Sequence, residues 1–230
     1  SMKVDFGFLK KFFVVLFILL GVLAVSKLDE LQFSFDFSQF FPEEDPDLAF
    51  YDKYVEEFGT DDNFLLIAVK NPTDVFQEDF LKKFQAISKE SKDFEFVLES
   101  SSITSLSYPL KTSFGYTTLP IIHIKDPNLY EQDWDKIKSD SLFINTLIAK
   151  DRKSMVLALQ TEDNLNYQQS KQLLNQIRAS LKANNLPNYH ILGRAFFYEA
   201  IVEMQKSEVL TTTIVASILV FIILLLVYRS

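Results

Sequence analysis

Residues 209–228, VLTTTIVASILVFIILLLVY, constrain this chain more than any other stretch. The 20 letters include no Asp, Glu, Lys, Arg, Asn, Gln, Gly or Pro. At ~1.5 Å rise per residue, a helix of that length spans the ~30 Å hydrocarbon core of a bilayer. Its polar letters are Thr211, Thr212, Thr213 and Ser217. Their hydroxyls can bond back to the carbonyl four residues earlier, so they cost little in lipid. Arg229 follows directly, where a guanidinium can snorkel to head groups. A buried core helix is the competing reading, but core helices that are apolar on every side seldom run this long. A membrane segment that closes the sequence at Arg229-Ser230 is expected of a piece of a longer protein, and Ser1 before Met2 reads as a cloning remnant.

A second apolar run, FFVVLFILLGVLAV, covers residues 12–25 behind Lys10 and Lys11. It fits a secretory signal peptide, with small residues at Ala24 and Ser26, or a first membrane anchor over roughly residues 8–27. Charge favours the anchor. Between residues 28 and 208 there are 18 Lys+Arg against 30 Asp+Glu, a balance of −12, whereas the two ends carry five basic letters and one acidic. With 28–208 translocated, Lys10, Lys11 and Arg229 all fall on the cytoplasmic side, as the positive-inside rule requires. The expected organisation is an anchor over 1–27, an extracytoplasmic domain over 28–208 and a second membrane helix over 209–230. The overall charge of −8 argues against nucleic acid as a partner, and the absence of Cys excludes disulfides and thiolate chemistry.

The intervening segment alternates between strand and helix signals. Leu31, Phe33, Phe35 and Phe37 alternate with polar letters, which predicts a half-buried strand. Pro42 and Pro46 break it, and Leu48, Tyr51, Tyr54, Val55 and Phe58 mark one helical face that stops at Gly59. A buried strand over 63–70, an amphipathic helix over 76–91 and a strand over 94–98 make a first β-α-β unit. Residues 99–128, rich in Ser and Thr, read as a connection with at most short strands. A helix is expected over 126–149, broken near 139–141. A strand over 154–160, a helix over 167–183 and a strand over 189–192 make a second β-α-β unit. Strand, helix, strand, insertion, strand, helix, strand is the split, ferredoxin-like α+β arrangement. From Arg194 to Glu208 no breaker interrupts the helical letters, so the last membrane helix should continue outward as an amphipathic helix.

In this order the motifs resemble the first third of a resistance–nodulation–division (RND) exporter of the branch related to the MMPL proteins. The resemblance rests on the N-terminal anchor, Phe41-Pro42 with acidic letters, a helix ending at Phe58-Gly59, and the strand LLIAV. The phrases FQEDFLKKFQAI, ESSSITSLS, LIAKDRKSMVLALQ, HILGRAFFYEAI and VYRS follow in order and cover nearly the whole chain. The resemblance implies a porter domain of ferredoxin-like units, transport driven by protons, and coupling acids in later membrane helices. Neither apolar segment here has an ionisable residue at its centre, so no proton relay is expected within it.

Candidate sites are few. The acids Glu43, Glu44, Asp45 and Asp47, like Asp61 and Asp62, read better as solvated helix starts than as metal ligands. His123 and His190 are the only histidines and lack zinc-site spacing; Ser100–Ser102 lack a nucleophile elbow or a marked base. No metal, cofactor or catalytic residue is expected. The aromatic surplus is more informative: Phe33, Phe35, Phe37, Phe40 and Phe41 at one end of the domain, and Phe196, Phe197 and Tyr198 at the other. They could line a path for an apolar or lipid-like substrate, or serve as core and interfacial belt. Glu199 and Glu203, one helical turn apart, could sit near the entrance of such a path but read better as a solvated helix face.

The expected function is part of a proton-driven exporter in a bacterial inner membrane. Its partners would be the lipid bilayer, a hydrophobic or lipid-like substrate and the remaining helices of the parent transporter, with homo-oligomers left open. A complete two-helix scaffold, such as a polysaccharide chain-length regulator, or a receptor ectodomain would show the same topology.

Overall fold

The computed structural model describes residues 6–26, 50, 53, 63–112 and 115–228. The chain divides into two compact units, Ser1–Ser34 and Phe35–Ser230. In the first, helix α1 (Phe6–Ser26) is continuous through Gly21, because the run on either side is apolar and has no Pro. The strand expected over 31–38 and the helix expected near 48–58 lie outside the described residues, apart from Phe50 and Lys53, which are both helical.

The second unit carries β1 (Phe64–Lys70), α2 (Glu78–Glu90), β2 (Val97–Ser102), β3 (Ser107–Thr112), β4 (Gly115–Pro120), α3 (Tyr130–Ser139), β5 (Ser154–Thr161), α4 (Tyr167–Ala183), β6 (Tyr189–Gly193) and α5 (Arg194–Tyr228). A four-stranded sheet has the order β2-β5-β1-β6, and every neighbouring pair is antiparallel. Each β-α-β crossover skips one strand, β1-α2-β2 over β5 and β5-α4-β6 over β1. This is the ferredoxin-like α+β arrangement.

Period-two burial explains the sheet. Leu65, Ile67 and Val69 of β1 and Met155, Leu157 and Leu159 of β5 are fully or almost fully buried. They join Phe80, Leu81, Phe84 and Ile87 of α2 and Leu173, Leu174, Ile177 and Leu181 of α4 in one cluster. Burying each such side chain contributes about 1.5–3 kcal/mol. A capping box starts α4: the Asn166 side chain accepts from Gln169 N at 3.0 Å, and Asn166 N donates to Gln169 Oε1 at 2.9 Å. Gly193 turns β6 into α5 at φ +142, and a Cβ there would stand 2.1 Å from the carbonyl oxygen of Phe64, so only glycine fits.

Three expectations need correction. The strand placed at 94–98 begins at Val97 and runs through the serines, because Phe96 turns the chain at φ 65. Those serines are buried by hydroxyl pairing with the end of α2: Ser88 with Ser102 at 2.8 Å, and Ser91 with Ser100 at 2.7 Å. Secondly, the connection over 99–128 contains a two-stranded hairpin, β3-β4. Thirdly, the helix expected over 126–149 ends at the break expected near 139–141 but does not resume after it: it covers Tyr130–Ser139, after a 3-10 turn at Pro127–Leu129. Beyond it Ile148 leaves the helical path to bridge with Met155, and Asn145 takes φ 60.

The insertion is tied to the core by Arg152. Its guanidinium reaches Asp74 and Glu131, each at 2.8 Å, and lies 4.8 Å over the Phe76 ring and 5.5 Å over Trp134. Its second tie is Asp133, a buried carboxylate. It accepts from the backbone N of His123 at 2.8 Å and contacts the His123 ring at 2.9 Å. His123 and the serines Ser100 and Ser102 are thus committed to internal packing, whereas His190 is exposed on β6.

Candidate functional site at the root of the membrane helix

Helix α5 is 35 residues long and runs from the end of β6 without a break. Among the described residues it is the one helix long and apolar enough to cross a membrane; the apolar run of α1, Val14–Leu23, is shorter. Its first four turns are amphipathic. Ala195, Glu199 and Val202 are buried, at the i, i+4, i+7 spacing of one helical face, while Phe197 and Met204 are about half exposed on the other.

The buried face is fastened to α4. Arg178 grips Glu199 through both guanidinium branches, Nη1 to Oε1 at 3.0 Å and Nη2 to Oε2 at 2.6 Å. Such fork-on-fork pairs fix orientation as well as distance. One turn further on, Glu203 accepts from Lys171 Nζ at 2.9 Å and from the Tyr167 hydroxyl. Lys206 then lies 4.4 Å from the centroid of the Tyr167 ring. The contacts pair residues 178, 171 and 167 of α4 with 199, 203 and 206 of α5, so the two helices run antiparallel along this seam.

Electrostatics follow from the same contacts. The hydrogen bond from Lys171 holds the Glu203 carboxyl below its ordinary range, with the Tyr167 bond adding to it. The Lys171 ammonium is pushed up, chiefly by its bond to Glu203 and then by Tyr167. Arg178 is held further into its charged form by Glu199. All three groups are held further toward their charged forms by these contacts, as suits a structural clamp.

Of the aromatic residues singled out in the sequence, Phe33, Phe35 and Phe37 lie outside the described residues, as do Phe40 and Phe41. Phe196 and Phe197 meet edge to face, with ring centroids 5.9 Å apart. Successive helix positions diverge by about 100°, so Phe196 packs against the core while Phe197 stands half exposed. Tyr198 is half-buried. The residues that sequence reasoning missed are Arg178, Lys171 and Tyr167. Glu199, expected on a solvated face, is buried. The available signal was weak: Glu199 and Glu203 are four residues apart and Lys171 and Arg178 seven, so each pair falls on one face of its helix.

The ferredoxin-like domain is clamped to one helix that is long and apolar enough to cross a membrane. A family model described as the MMPL family matches residues 78–230, about two thirds of the sequence, and the chain belongs to that family. Members are membrane transporters of the RND type. No curated protein matches the chain.

Proposed function

We propose that the chain is part of a proton-driven RND exporter whose porter domain, residues 28–208, lies outside the cytoplasmic membrane and handles a hydrophobic or lipid-like substrate. Residues 1–27 and 209–230 are its first two membrane helices in a multi-pass protein of a bacterial inner membrane, and coupling acids belong to further helices. The observation that supports this most is the continuity of α5 together with its clamp on α4. A domain fused to a membrane helix through a stiff, bidentate seam moves with that helix, and alternating access works by rocking of such bodies. Phe196, Phe197 and Tyr198, beside the root of the helix, would border the entrance for substrate, together with Phe33, Phe35 and Phe37. Membership of the MMPL family favours this reading over the scaffold and the receptor.

The test uses the full-length transporter in cells. Inserting Gly-Gly after Glu208 should leave the thermal transition of the domain unchanged and reduce export of a lipid-like substrate at least about tenfold, because flexible glycines decouple the two bodies. Export that survives the insertion overturns the rigid-coupling argument. Export that persists when a protonophore collapses the proton gradient overturns the proton-driven assignment.

A further inference from the structure

The outward face of the four-stranded sheet breaks the usual pattern. An antiparallel sheet with its other face in water alternates apolar inward and polar outward. Here the outward positions of β1 are Phe64, Leu66, Ala68 and Lys70, and those of β5 are Ser154, Val156, Ala158 and Gln160. Ladder register sets Leu66 between Ala158 and Leu192, and Ala68 between Val156 and His190. Phe64 is 45% exposed and Leu192 53%. An apolar strip therefore runs across three strands, and it changes character along its length. At the Lys70 end it meets Ser154 and His190, and there the sheet opens into a groove of about 540 Å³ walled by Asn71, Asp151, Lys153 and Asn188. A volume of that size accommodates a small ligand.

The groove is cationic in a domain that is otherwise acidic. Among the described residues no ion pair joins Lys70 or Lys153 to a carboxylate. The one acid in the wall, Asp151, accepts from the backbone N of Lys153 at 3.0 Å. The groove lies at the pole of the sheet opposite Phe64 and Thr161, where α5 passes Tyr167 on its way to the membrane. From Phe64 to Lys70 the strip is about 20 Å long at strand rise.

We propose that the outward sheet face and this groove form one binding surface for a single-chain anionic amphiphile. The hydrocarbon chain lies along Leu66, Ala68, Val156 and Leu192. The carboxylate or phosphate head sits between Lys70 and Lys153, with the His190 ring beside it. Charge complementarity selects the head, since two uncompensated ammonium groups face one acid whose oxygen is already engaged. The inference rests on the reading of the chain as a porter domain for lipid-like substrates, and narrows that class to molecules with an anionic head.

The test is equilibrium binding of dodecyl phosphate to the full chain in phosphatidylcholine nanodiscs, corrected with empty nanodiscs. The expected result is saturable binding of one molecule per chain. The double variant Lys70→Gln/Lys153→Gln should weaken it about tenfold, and Leu66→Ser/Leu192→Ser should weaken it similarly, since each removes one half of the recognition. Leu66, Lys70 and Leu192 face outward on the sheet and Lys153 is exposed just before β5, and an unchanged thermal transition verifies that each variant is folded. Dodecanol should bind at least about tenfold more weakly than dodecyl phosphate, and inorganic phosphate should fail to displace it at equal concentration. Binding unchanged in both double variants overturns the proposal, as does displacement by inorganic phosphate as effective as by dodecyl phosphate itself. Export that withstands the Gly-Gly insertion would sink the coupling argument and leave this binding result standing. Loss of the binding result alone would remove the surface and leave the transporter reading intact.

Discussion

Arg178 and Glu199 set the cost of any single change at the root of the membrane helix. The Glu199 side chain is 10% exposed and that of Arg178 35%. Removing one partner of a buried pair costs about 3–5 kcal/mol; the partial exposure of Arg178 brings the expectation for Arg178→Ala to about 2–3 kcal/mol. The double variant Arg178→Met/Glu199→Leu should recover most of that loss, because no buried charge is left without a partner. Urea unfolding of the three proteins checks both statements, and a double variant no better than Arg178→Ala would contradict them. The neighbouring pair carries a pH signature. Glu203 has its pKa depressed in the fold, so its contribution is present above the ordinary carboxylate value of about 4.3 and is lost as pH falls through the depressed one. Lys171 has its pKa raised, so its contribution is present below about 10.4 and is lost as pH rises through the raised value. The contribution of this pair to Tm should therefore be constant from about pH 5 to 10 and fall at both ends. Glu203→Gln should lower the plateau modestly, since both side chains are nearly half exposed. The gap to the parent protein should narrow on each flank; a gap that stays constant down to pH 3 would show that the pair contributes nothing through its ionisation.

The elements differ in how far they could be read in advance. Helix α4 has the bounds the sequence predicts, because Asn166 and Gln169 cap it and its apolar letters keep one face. Strands β1 and β5 are legible for the same reason: alternation or a short apolar run leaves one consistent burial. Strand β2 was hidden. Its inward residues are Ser100 and Ser102, which carry no hydrophobic signal and become core residues only because Ser88 and Ser91 lie opposite. Hydroxyl pairing across 9 and 14 residues is a tertiary fact with no local period. The clamp was hidden likewise, since Arg178 and Glu199 are 21 residues apart on separate helices. The serine ladder makes its own prediction. Ser102→Ala orphans Ser88 and should cost about 1–3 kcal/mol. Ser88→Ala/Ser102→Ala should cost less than the sum of the two single changes, because the second removes a group already left unpaired. Strict additivity in denaturant unfolding would mean that the two hydroxyls do not interact.

For the molecule as a whole, the decisive question is on which side of a bilayer each part of α5 stands. The chain has no cysteine, so single substitutions give clean reporters. Phe197 is half exposed on the amphipathic part of α5, away from the α4 seam, and should react as Phe197→Cys with a membrane-impermeant maleimide. Leu219 follows 22 residues later on the same continuous helix, about 33 Å along its axis. The run from Val209 places it near mid-bilayer, so Leu219→Cys should react only after denaturation. If 28–208 lies outside the cell, Phe197→Cys is labelled in spheroplasts without lysis. Labelling that needs permeabilised cells would put the domain in the cytoplasm and reverse the topology that Lys10, Lys11 and Arg229 imply. Labelling of Leu219→Cys from either aqueous side would mean that α5 lines a water-filled space over its apolar length. The pattern with position 197 outside and position 219 shielded is the one under which the Arg178–Glu199 clamp can pass motion between domain and membrane, because it leaves one uninterrupted helix on both sides of the head-group layer.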